Sequence, residues 1–323
     1  MKKYPLKMSY VAKTAIWAGH KLSERFGKSG EDKISETWEL TVRDKERSSI
    51  LNGEYKGMEL GRYIELCGAS CVSDTHKDGD RFPLLIKLID ADDDLSVQVH
   101  PDDEYAGRVE NSLGKTEMWY IVDAEEGAKL EYGLKEGITP EIFATLVREG
   151  RIGEAIDYIP VKAGESYFIP AGMLHAIGGG IIIAEIQQNA DLTYRVYDYD
   201  RRGADGSLRE LHVDKALDVT RVYTEDEVNA VSFAKGKNMK GIKGESLLAA
   251  SEFFTVRKYE VSERIKCVVD NESFASILCV KGQGKIIFED ESYPIGQGDS
   301  YFLPAGMGEY SLEGSMEIID SRV

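Results

Sequence analysis

The sequence has few cysteines, no long apolar run and a shortage of positive charge, and each shortage excludes a class of protein. Its 323 residues include four cysteines without a CxxC pair, so neither a zinc knuckle nor a disulfide framework is indicated. No stretch approaches the ~18 apolar residues of a membrane span, and no apolar leader follows the first residues. The net charge of −17 argues against a nucleic-acid partner. We therefore expect a cytoplasmic protein without nucleic-acid or membrane partners.

A ten-residue phrase occurs twice in the chain and indicates an internal repeat. Residues 164–173 read GESYFIPAGM, and residues 298–307 read GDSYFLPAGM. A repeat of this kind predicts two related β modules, and 323 residues at ~150 per domain also fit two domains. The first copy is followed by His175, whereas the second has Glu309 at the corresponding position. The chemistry is therefore predicted in the first module.

Short strands separated by turns dominate the pattern of the chain. Residues 95–100 alternate between apolar and polar side chains, and 81–89 is a short apolar run of the buried-strand type. Further strands are predicted over 117–122, 129–132, 180–186, 193–197, 254–259 and 276–280. A series of this kind is typical of a β-sandwich or a β-barrel.

Helices are the exception in this pattern. Thr139 can cap a helix whose first position is Pro140, and a second short helix is expected over 152–157. Together they make residues 139–157 a small helical insert, which would serve as a lid or a wall. A third helix is predicted over 213–219, where the chain leaves the first module.

The division into modules follows from a change in composition. The segment from about 223 to 244 is largely polar and rich in glycine, so we interpret it as the connection. We therefore expect a first module over residues 1–235, which carries the chemistry and the helical insert, and a second module over residues 236–323.

Three polar side chains share one face of a predicted strand in the first module. Because side chains alternate across a strand, Ser96, Gln98 and His100 point the same way, while the apolar residues between them point to the other face. A row of polar groups on an inward face is costly unless something binds them. This row therefore marks a candidate site.

Two further polar residues complete a candidate metal site. Glu117 follows Lys115 in a similar row on another strand, and His175 follows the turn that begins at Pro170. Two imidazoles and one carboxylate without a thiolate suit a borderline or hard divalent cation. The spacing is not a compact motif, so the same residues also fit a pair of hydrogen-bonded core histidines.

Seven segments of the chain carry a resemblance to a known family. They are AIWAG (15–19), SETWE (35–39), LLIK (84–87), LSVQVHPD (95–102), GKTEMWY (114–120), PAGxxH (170–175) and DLTYRVYD (191–198). In these segments the chain resembles the type I mannose-6-phosphate isomerases, or phosphomannose isomerases, of the cupin superfamily. The resemblance is densest over residues 84–198, and the short form is most similar to the Bacillus-type enzymes.

The resemblance implies a mainly β fold, a double cupin of two jelly-roll-like β-barrels with a small helical insert. It implies one Zn²⁺ per chain, held in the first barrel by His100, Glu117 and His175, with Gln98 as a fourth ligand or a substrate contact. The second barrel, with Glu309 in place of the histidine, is expected to be metal-free and structural. The oligomeric state is left open.

The reaction implied by the resemblance interconverts mannose 6-phosphate and fructose 6-phosphate through an enediolate. Arg195 stands at the place of the family's catalytic arginine and would stabilise the enediolate with zinc. Lys115 is our first candidate for the base, because a lysine beside a dication is neutral more often. Lys87 and Ser96 are expected to contact the phosphate or a hydroxyl. On residues alone, Arg195 could instead pair with Asp198 or Asp200.

One departure from the family and two rival functions bear on these expectations. Some members carry a histidine immediately before the lysine of the Lys-x-Glu segment, where this chain has Gly114, so a ring-opening role for that histidine does not transfer. The rivals are another metal-dependent cupin enzyme, such as an oxygenase, and a catalytically silent sugar-binding cupin. The lysines and the arginine near the predicted metal site favour a phosphosugar over oxygen chemistry.

Overall fold

The computed structural model describes residues 1–43, 45–203, 206–236 and 244–323. Strands make up most of the regular structure. They are β1 Leu6–Met8, β2 Val11–Lys13, β3 Glu36–Leu40, β4 Leu84–Ala91, β5 Val97–Val99, β6 Glu117–Ala124, β7 Lys129–Leu134, β8 Ile156–Pro160, β9 Ser166–Ile169, β10 His175–Ile177, β11 Ile181–Gln188, β12 Tyr194–Tyr197, β13 Glu245–Ala250, β14 Thr255–Val261, β15 Ile265–Val269, β16 Ala275–Phe288, β17 Glu291–Gly296, β18 Ser300–Leu303 and β19 Gly308–Arg322.

The helices are short and lie outside the sheets. They are α1 Lys21–Phe26, α2 Leu60–Cys67, α3 Asp103–Glu110, α4 Pro140–Arg148, α5 Val213–Val219 and α6 Glu225–Ser232, with 3₁₀ turns at Ala69–Cys71 and Ile152–Glu154. The predicted helix at Pro140 is confirmed, and its cap is Thr139, whose hydroxyl accepts the N–H of Ile142. The helix predicted over 213–219 is confirmed as α5.

Two sheets form the first β module. Six strands follow the order β2-β3-β4-β11-β6-β9, and five follow the order β12-β5-β10-β7-β8. Apolar side chains from both sheets, among them Ile89, Trp119 and Ile183 from the first and Leu130 and Ile177 from the second, share one buried core. The mainly β cupin fold is confirmed, and its strands form separate sheets rather than a closed barrel.

The second β module is one sheet that bends back on itself through its long strands. Its main path is β1-β18-β16-β19-β14-β13, with β15 paired to β19 and β17 paired to β16. The N-terminal strand β1 therefore belongs to the sheet that is otherwise built from the C-terminal third of the chain. A large apolar core joins this module to the outer face of the six-stranded sheet, including Leu84, Ile86 and Met118.

The two long sheets correspond strand for strand, because β3-β4-β11-β6-β9 has the same order and direction as β13-β14-β19-β16-β18. The register shift between Trp38 and Leu40 recurs between Leu247 and Ala249. A second shift beside Ile183 recurs beside Cys279. The repeated phrase supplies β9 and β18, each followed by a Pro-Ala-Gly turn. The repeat is therefore confirmed as one strand-turn-strand element built twice.

Two details of the predicted chain path differ in the structure. The second helix of the insert is limited to the 3₁₀ turn Ile152–Glu154, and the chain continues as β8, because β7 offers an open edge with which 156–160 can pair. The insert therefore ends at residue 154. The polar segment contains α6, begun by a capping box between Thr224 and Glu227, and part of it, 237–243, lies outside the described residues.

The composition predicted neither a disulfide framework nor a membrane span. All four cysteines are free thiols. Over the stretches that the structure describes, none of the helices has the length and apolar character needed to cross a membrane.

Candidate active site

Three strands of the first β module bring two histidines and a glutamate together. His100 follows β5, Glu117 begins β6 and His175 begins β10 after the Pro170 turn. All three side chains are buried, with at most 1 % of each exposed. Their candidate ligand atoms lie within 4.8 Å of one another. The residues that the sequence placed on separate strands therefore converge on one point.

The hydrogen bonds of the two histidines determine which ring nitrogens carry protons. His100 Nδ1 lies 2.8 Å from the carbonyl oxygen of Leu192, and His175 Nδ1 lies 2.8 Å from that of Met173. Because a carbonyl oxygen only accepts hydrogen bonds, each Nδ1 must carry the proton and donate it. Each neutral ring therefore has an unprotonated Nε2 with a free lone pair. The two Nε2 atoms face each other at 3.2 Å. Two facing lone pairs repel unless a cation lies between them.

Glu117 supplies the third donor. Its Oε1 lies 3.4 Å from His175 Nε2 and its Oε2 lies 3.6 Å from His100 Nε2. Both oxygens are buried. Lys115 Nζ approaches Oε2 at 2.7 Å as an ion pair. Two imidazoles oriented by backbone carbonyl groups, with a carboxylate close to both Nε2 atoms, are the donor set of a metal site. The residues therefore fit a divalent cation.

Burial shifts the pKa values of all three residues of the triad, and for the two histidines the direction suits metal binding. It lowers the pKa of His175 to about 4, and with the charge of Lys115 it lowers the pKa of His100 well below its usual value. Burial and the nearby charge of Glu185 raise the pKa of Glu117 to about 7. Both imidazoles are therefore neutral near pH 7, as ligation requires.

A row of charged residues lies beside the triad on the six-stranded sheet. We call Glu36, Lys87 and Glu185 the charged row of the first module. Lys87 Nζ lies 3.1 Å from Glu185 and 3.4 Å from Glu36. Burial alone would raise the Glu185 pKa, but Lys115 and Lys87 outweigh it and lower the pKa to about 2. Both lysines therefore face carboxylates inside the module.

Two tryptophans connect this row to the rest of the site. Trp119 donates its indole N–H to Glu185 Oε2 at 3.1 Å, and its ring packs edge-on against His175 with centroids 5.4 Å apart. Trp38 donates to Glu36 at 2.8 Å. Sequence analysis did not select Glu185. Its signal was a lone carboxylate inside the apolar run 181–186, where an unpaired charge would be costly.

Gln98 and Arg195 lie on the facing five-stranded sheet. Gln98 of β5 is directly opposite both His175 and Arg195, so the three side chains share one face. Among the described residues Arg195 forms no ion pair, and its Nη1 donates to the carbonyl oxygen of Glu210 at 3.4 Å. Asp198 instead pairs with Arg201 and Arg209. The structure therefore places Arg195 on the sheet face that carries Gln98 and His175, and the alternative pair with Asp198 is not formed among the described residues.

The structure also defines the surroundings of Ser96 and Gly114. Ser96 is buried immediately before β5. Gly114 packs so closely on the loop before α3 that a Cβ atom there would overlap the backbone of Asp102 and Asp103. A histidine at position 114 therefore requires a different loop, which accounts for the departure from the family pattern at this position.

Comparisons with known proteins match the whole chain. Residues 6–131 match the family described as phosphomannose isomerase type I, catalytic domain, and residues 244–323 match the cupin domain of mannose-6-phosphate isomerase. A mannose-6-phosphate isomerase of Bacillus subtilis is 38 % identical over 99 % of both chains. One of Streptococcus mutans is 36 % identical over 98 % of both.

A solved structure agrees with these matches. The crystal structure of a mannose 6-phosphate isomerase from Bacillus subtilis superimposes with a TM-score of 0.87 and 35 % identity, covering 99 % of each chain. The similarity spans both β modules and therefore includes the strands that bring His100, Glu117 and His175 together. The chain belongs to the type I phosphomannose isomerase family of cupin enzymes.

Proposed function

We propose that this protein is a zinc-dependent aldose–ketose isomerase that interconverts mannose 6-phosphate and fructose 6-phosphate through an enediolate. The main support for the proposal is the buried triad of His100, Glu117 and His175, in which the two unprotonated Nε2 atoms lie 3.2 Å apart. This triad lies in a chain whose relatives carry the name mannose-6-phosphate isomerase.

The proposed cation is Zn²⁺, one per chain, held by the triad. Nitrogen and carboxylate donors with an open position suit zinc in a catalytic site. When bound, the cation would polarise the oxygens next to the reacting carbons and stabilise negative charge there. Gln98 faces the same point and is proposed as a fourth ligand or as a substrate contact.

Arg195 is proposed to stabilise the enediolate. Its guanidinium is on the same sheet face as His175 and, within the described chain, is not neutralised by a carboxylate in direct contact. A fixed positive group aimed at a developing oxyanion lowers the barrier more than it tightens substrate binding. Partial burial and the charge of Arg209 lower the pKa of Arg195.

Lys115 is proposed to move the proton between C2 and C1. The step removes a proton from C2, places the electron pair in the enediolate and returns a proton to C1, while the hydroxyl proton of O2 is transferred to O1. Lys115 Nζ is buried and lies 2.7 Å from Glu117, which puts it at the edge of the triad. A substrate coordinated beside Glu117 would therefore present C1 and C2 to this amine.

Lys87 and Ser96 are proposed to hold the rest of the substrate. The Lys87 ammonium already contacts Glu36 and Glu185, so a sugar hydroxyl can accept a hydrogen bond from Lys87 and donate one to either of these carboxylates. Ser96 is on the strand end next to Gln98 and offers a hydroxyl donor and acceptor. The implied partner is a phosphosugar. A cytoplasmic location is proposed from the four free thiols.

A coupled assay with mannose 6-phosphate tests the proposal. We expect fructose 6-phosphate to form, activity to disappear on chelation and zinc to restore it. Full turnover after complete removal of metal would contradict the mechanism. Metal binding with sugar binding but no turnover would favour the silent sugar-binding cupin, and oxygen consumption with another substrate would favour a different cupin enzyme.

A further inference from the structure

The second β module retains a charged row at the positions that form the charged row of the first. Arg257 on β14 lies opposite Asp320 on β19, as Lys87 lies opposite Glu185. Glu245 begins β13 two register positions from Arg257, as Glu36 begins β3 two positions from Lys87. The bulges on both sides of these strands also match, so each residue of one row occupies the same position in its sheet as its counterpart in the other row. Each module therefore carries an acidic, a basic and another acidic side chain on three neighbouring strands.

The charges of the second module are mostly buried and form close contacts. Arg257 Nε lies 2.8 Å from Glu245, whose side chain is 8 % exposed. Arg322 donates to both oxygens of the fully buried Asp320, at 2.9 and 3.0 Å. Burying charges costs several kcal/mol per ion before pairing, and apolar residues often stabilise such positions equally well. A row built for packing alone would not need these ions.

The metal ligands of the first module are not retained. By the same register Ala275 stands at the position of Glu117, since each pairs with the last residue of the repeated strand, Leu303 or Ile169. Val268 stands opposite Glu309 as Gln98 stands opposite His175. The second module therefore keeps a polar interior and loses the metal site.

A cavity of about 400 Å³ opens beside this row. In the first module β12 covers the free edge of β5, whereas in the described chain β15 pairs with β19 alone. The cavity is therefore open at the side where β12 would lie. Its wall carries Lys266 and Val268 from β15, and Glu309. A volume of this size falls within the range of about 300–1,000 Å³ seen for small-molecule sites.

We propose that this cavity is a second, metal-free site that binds a neutral polyhydroxylated molecule, a sugar by chemical class. The cavity and its base hold three cations, Arg257, Lys266 and Arg322. Three acids face them, and these are Glu245, Glu309 and Asp320. This balance of charge favours a neutral ligand over a phosphate or a free cation.

The chemistry of hydroxyl groups matches these walls. A hydroxyl donates one hydrogen bond and accepts two, so neighbouring hydroxyls on a sugar can bond a carboxylate and a guanidinium that lie side by side. Arg257 beside Glu245 and Arg322 beside Asp320 are two such pairs. The first module has the same arrangement at Lys87. This inference requires neither the metal nor the isomerase reaction, and its test is independent of both.

A cysteine placed at the rim of the cavity reports its occupancy. Val268 is 47 % exposed and lines the cavity, so Val268→Cys places a reactive thiol there without disturbing the core. Ile142→Cys, at a residue that is 44 % exposed on α4, is the matched control. Burial raises the pKa of the neighbouring Cys267 to about 12, so we expect this thiol to react slowly. Alkylation rates are read by peptide mass spectrometry.

The probes are D-mannose, D-fructose and inorganic phosphate, each added to the metal-loaded full-length protein. At a sugar concentration about twice the dissociation constant we expect a threefold slower alkylation of Val268→Cys, since the free fraction is 1/(1 + [L]/Kd). Alkylation of Ile142→Cys should not change. Equal rates at Val268→Cys with and without either sugar would overturn the proposal, as would protection by phosphate alone.

Variants of the exposed wall separate binding from packing. Lys266 and Glu309 are both exposed, so Lys266→Ala and Glu309→Ala leave the buried pairs intact. We expect each to reduce the sugar protection of Val268→Cys severalfold while kcat/KM of the isomerase stays unchanged. Protection that survives both substitutions would overturn the assignment of the sugar to this cavity.

Discussion

The two β modules share a strand order and two bulges but differ in what their inner strands carry. The first has Glu117 and His175 where the second has Ala275 and Glu309. Both keep an acid–base–acid row across three strands. The second module therefore keeps a charged row although it does not retain the metal ligands of the first. The metal ligands and the charged row are thus separate features of the shared scaffold.

The modules also differ at one edge. In the first, β12 pairs with β5 and brings Arg195 opposite Gln98. Within the part of the second module that is described, β15 has no strand at the equivalent edge. The proposed catalytic site therefore needs two additions to the shared scaffold, the three metal ligands and the strand that carries the arginine.

The largest expected effect comes from replacing a metal ligand of the first module by the residue at the same position of the second module. Glu117→Ala introduces the alanine found at position 275 and should abolish stoichiometric metal binding. We expect kcat/KM to fall about 10³-fold or more, because the cation supplies several kcal/mol of charge stabilisation. Metal analysis and the coupled assay measure both effects. Glu309→Ala is the matched control and should change neither, and a fully metallated, active Glu117→Ala would refute the triad.

Removing the guanidinium that the second module lacks should have the next largest effect. Arg195→Ala should lower kcat by about 100-fold if the guanidinium stabilises the enediolate. The metal content should stay the same, because Arg195 does not contact the triad residues directly among the described contacts. Steady-state kinetics with parallel metal analysis provide the measurement. A normal kcat would return Arg195 to a structural role.

The two charged rows can be compared by removing the central base from each. Lys87→Met removes one cation from Glu185, and Arg257→Met removes the ion pair with Glu245. Because the carboxylates keep other partners, each substitution should destabilise the protein by about 2 kcal/mol. Denaturant unfolding measures this loss. Only Lys87→Met should also lower the isomerase activity. An equal loss of activity in a folded Arg257→Met would show that the two rows are not functionally distinct.

The smallest expected effect concerns the turn before each inner strand. Gly114→Ala should cost about 2 kcal/mol, because the added Cβ overlaps the backbone of the 102–103 loop. Glu272 occupies the corresponding position of the second module and is exposed, so Glu272→Ala should change stability by no more than about 0.5 kcal/mol. Thermal unfolding of both variants tests the difference, and equal stabilities would contradict the close packing at Gly114.

Local patterns in the sequence identified several elements correctly. The helix begun by Thr139 and Pro140 follows from capping chemistry, which involves only neighbouring residues. The alternation at 95–100 predicted strand β5, which ends immediately before His100, and the repeated phrase predicted the strand and turn that precede His175. These features were readable because each depends on side chains that are close along the chain.

Features that depend on pairing between distant strands were not readable. The helix predicted over 152–157 overlaps the start of the strand over 156–160, because only the open edge of β7 selects the extended form there. Glu185 gained its significance only when β11 placed it opposite Lys87 and Trp119. The charged row of the second module was missed for the same reason, since its members lie on three strands.

The sequence by itself determined the two-module β organisation, the family and the residue types of the metal site, since periodicity, repetition and motif order are properties of the linear chain. The tertiary structure decided which nitrogen atoms of His100 and His175 face each other, because their tautomers depend on the carbonyl groups of Leu192 and Met173. It also decided that β1 joins the second module. Strand register is set by contacts across the sheet, and those contacts exist only after the chain has folded.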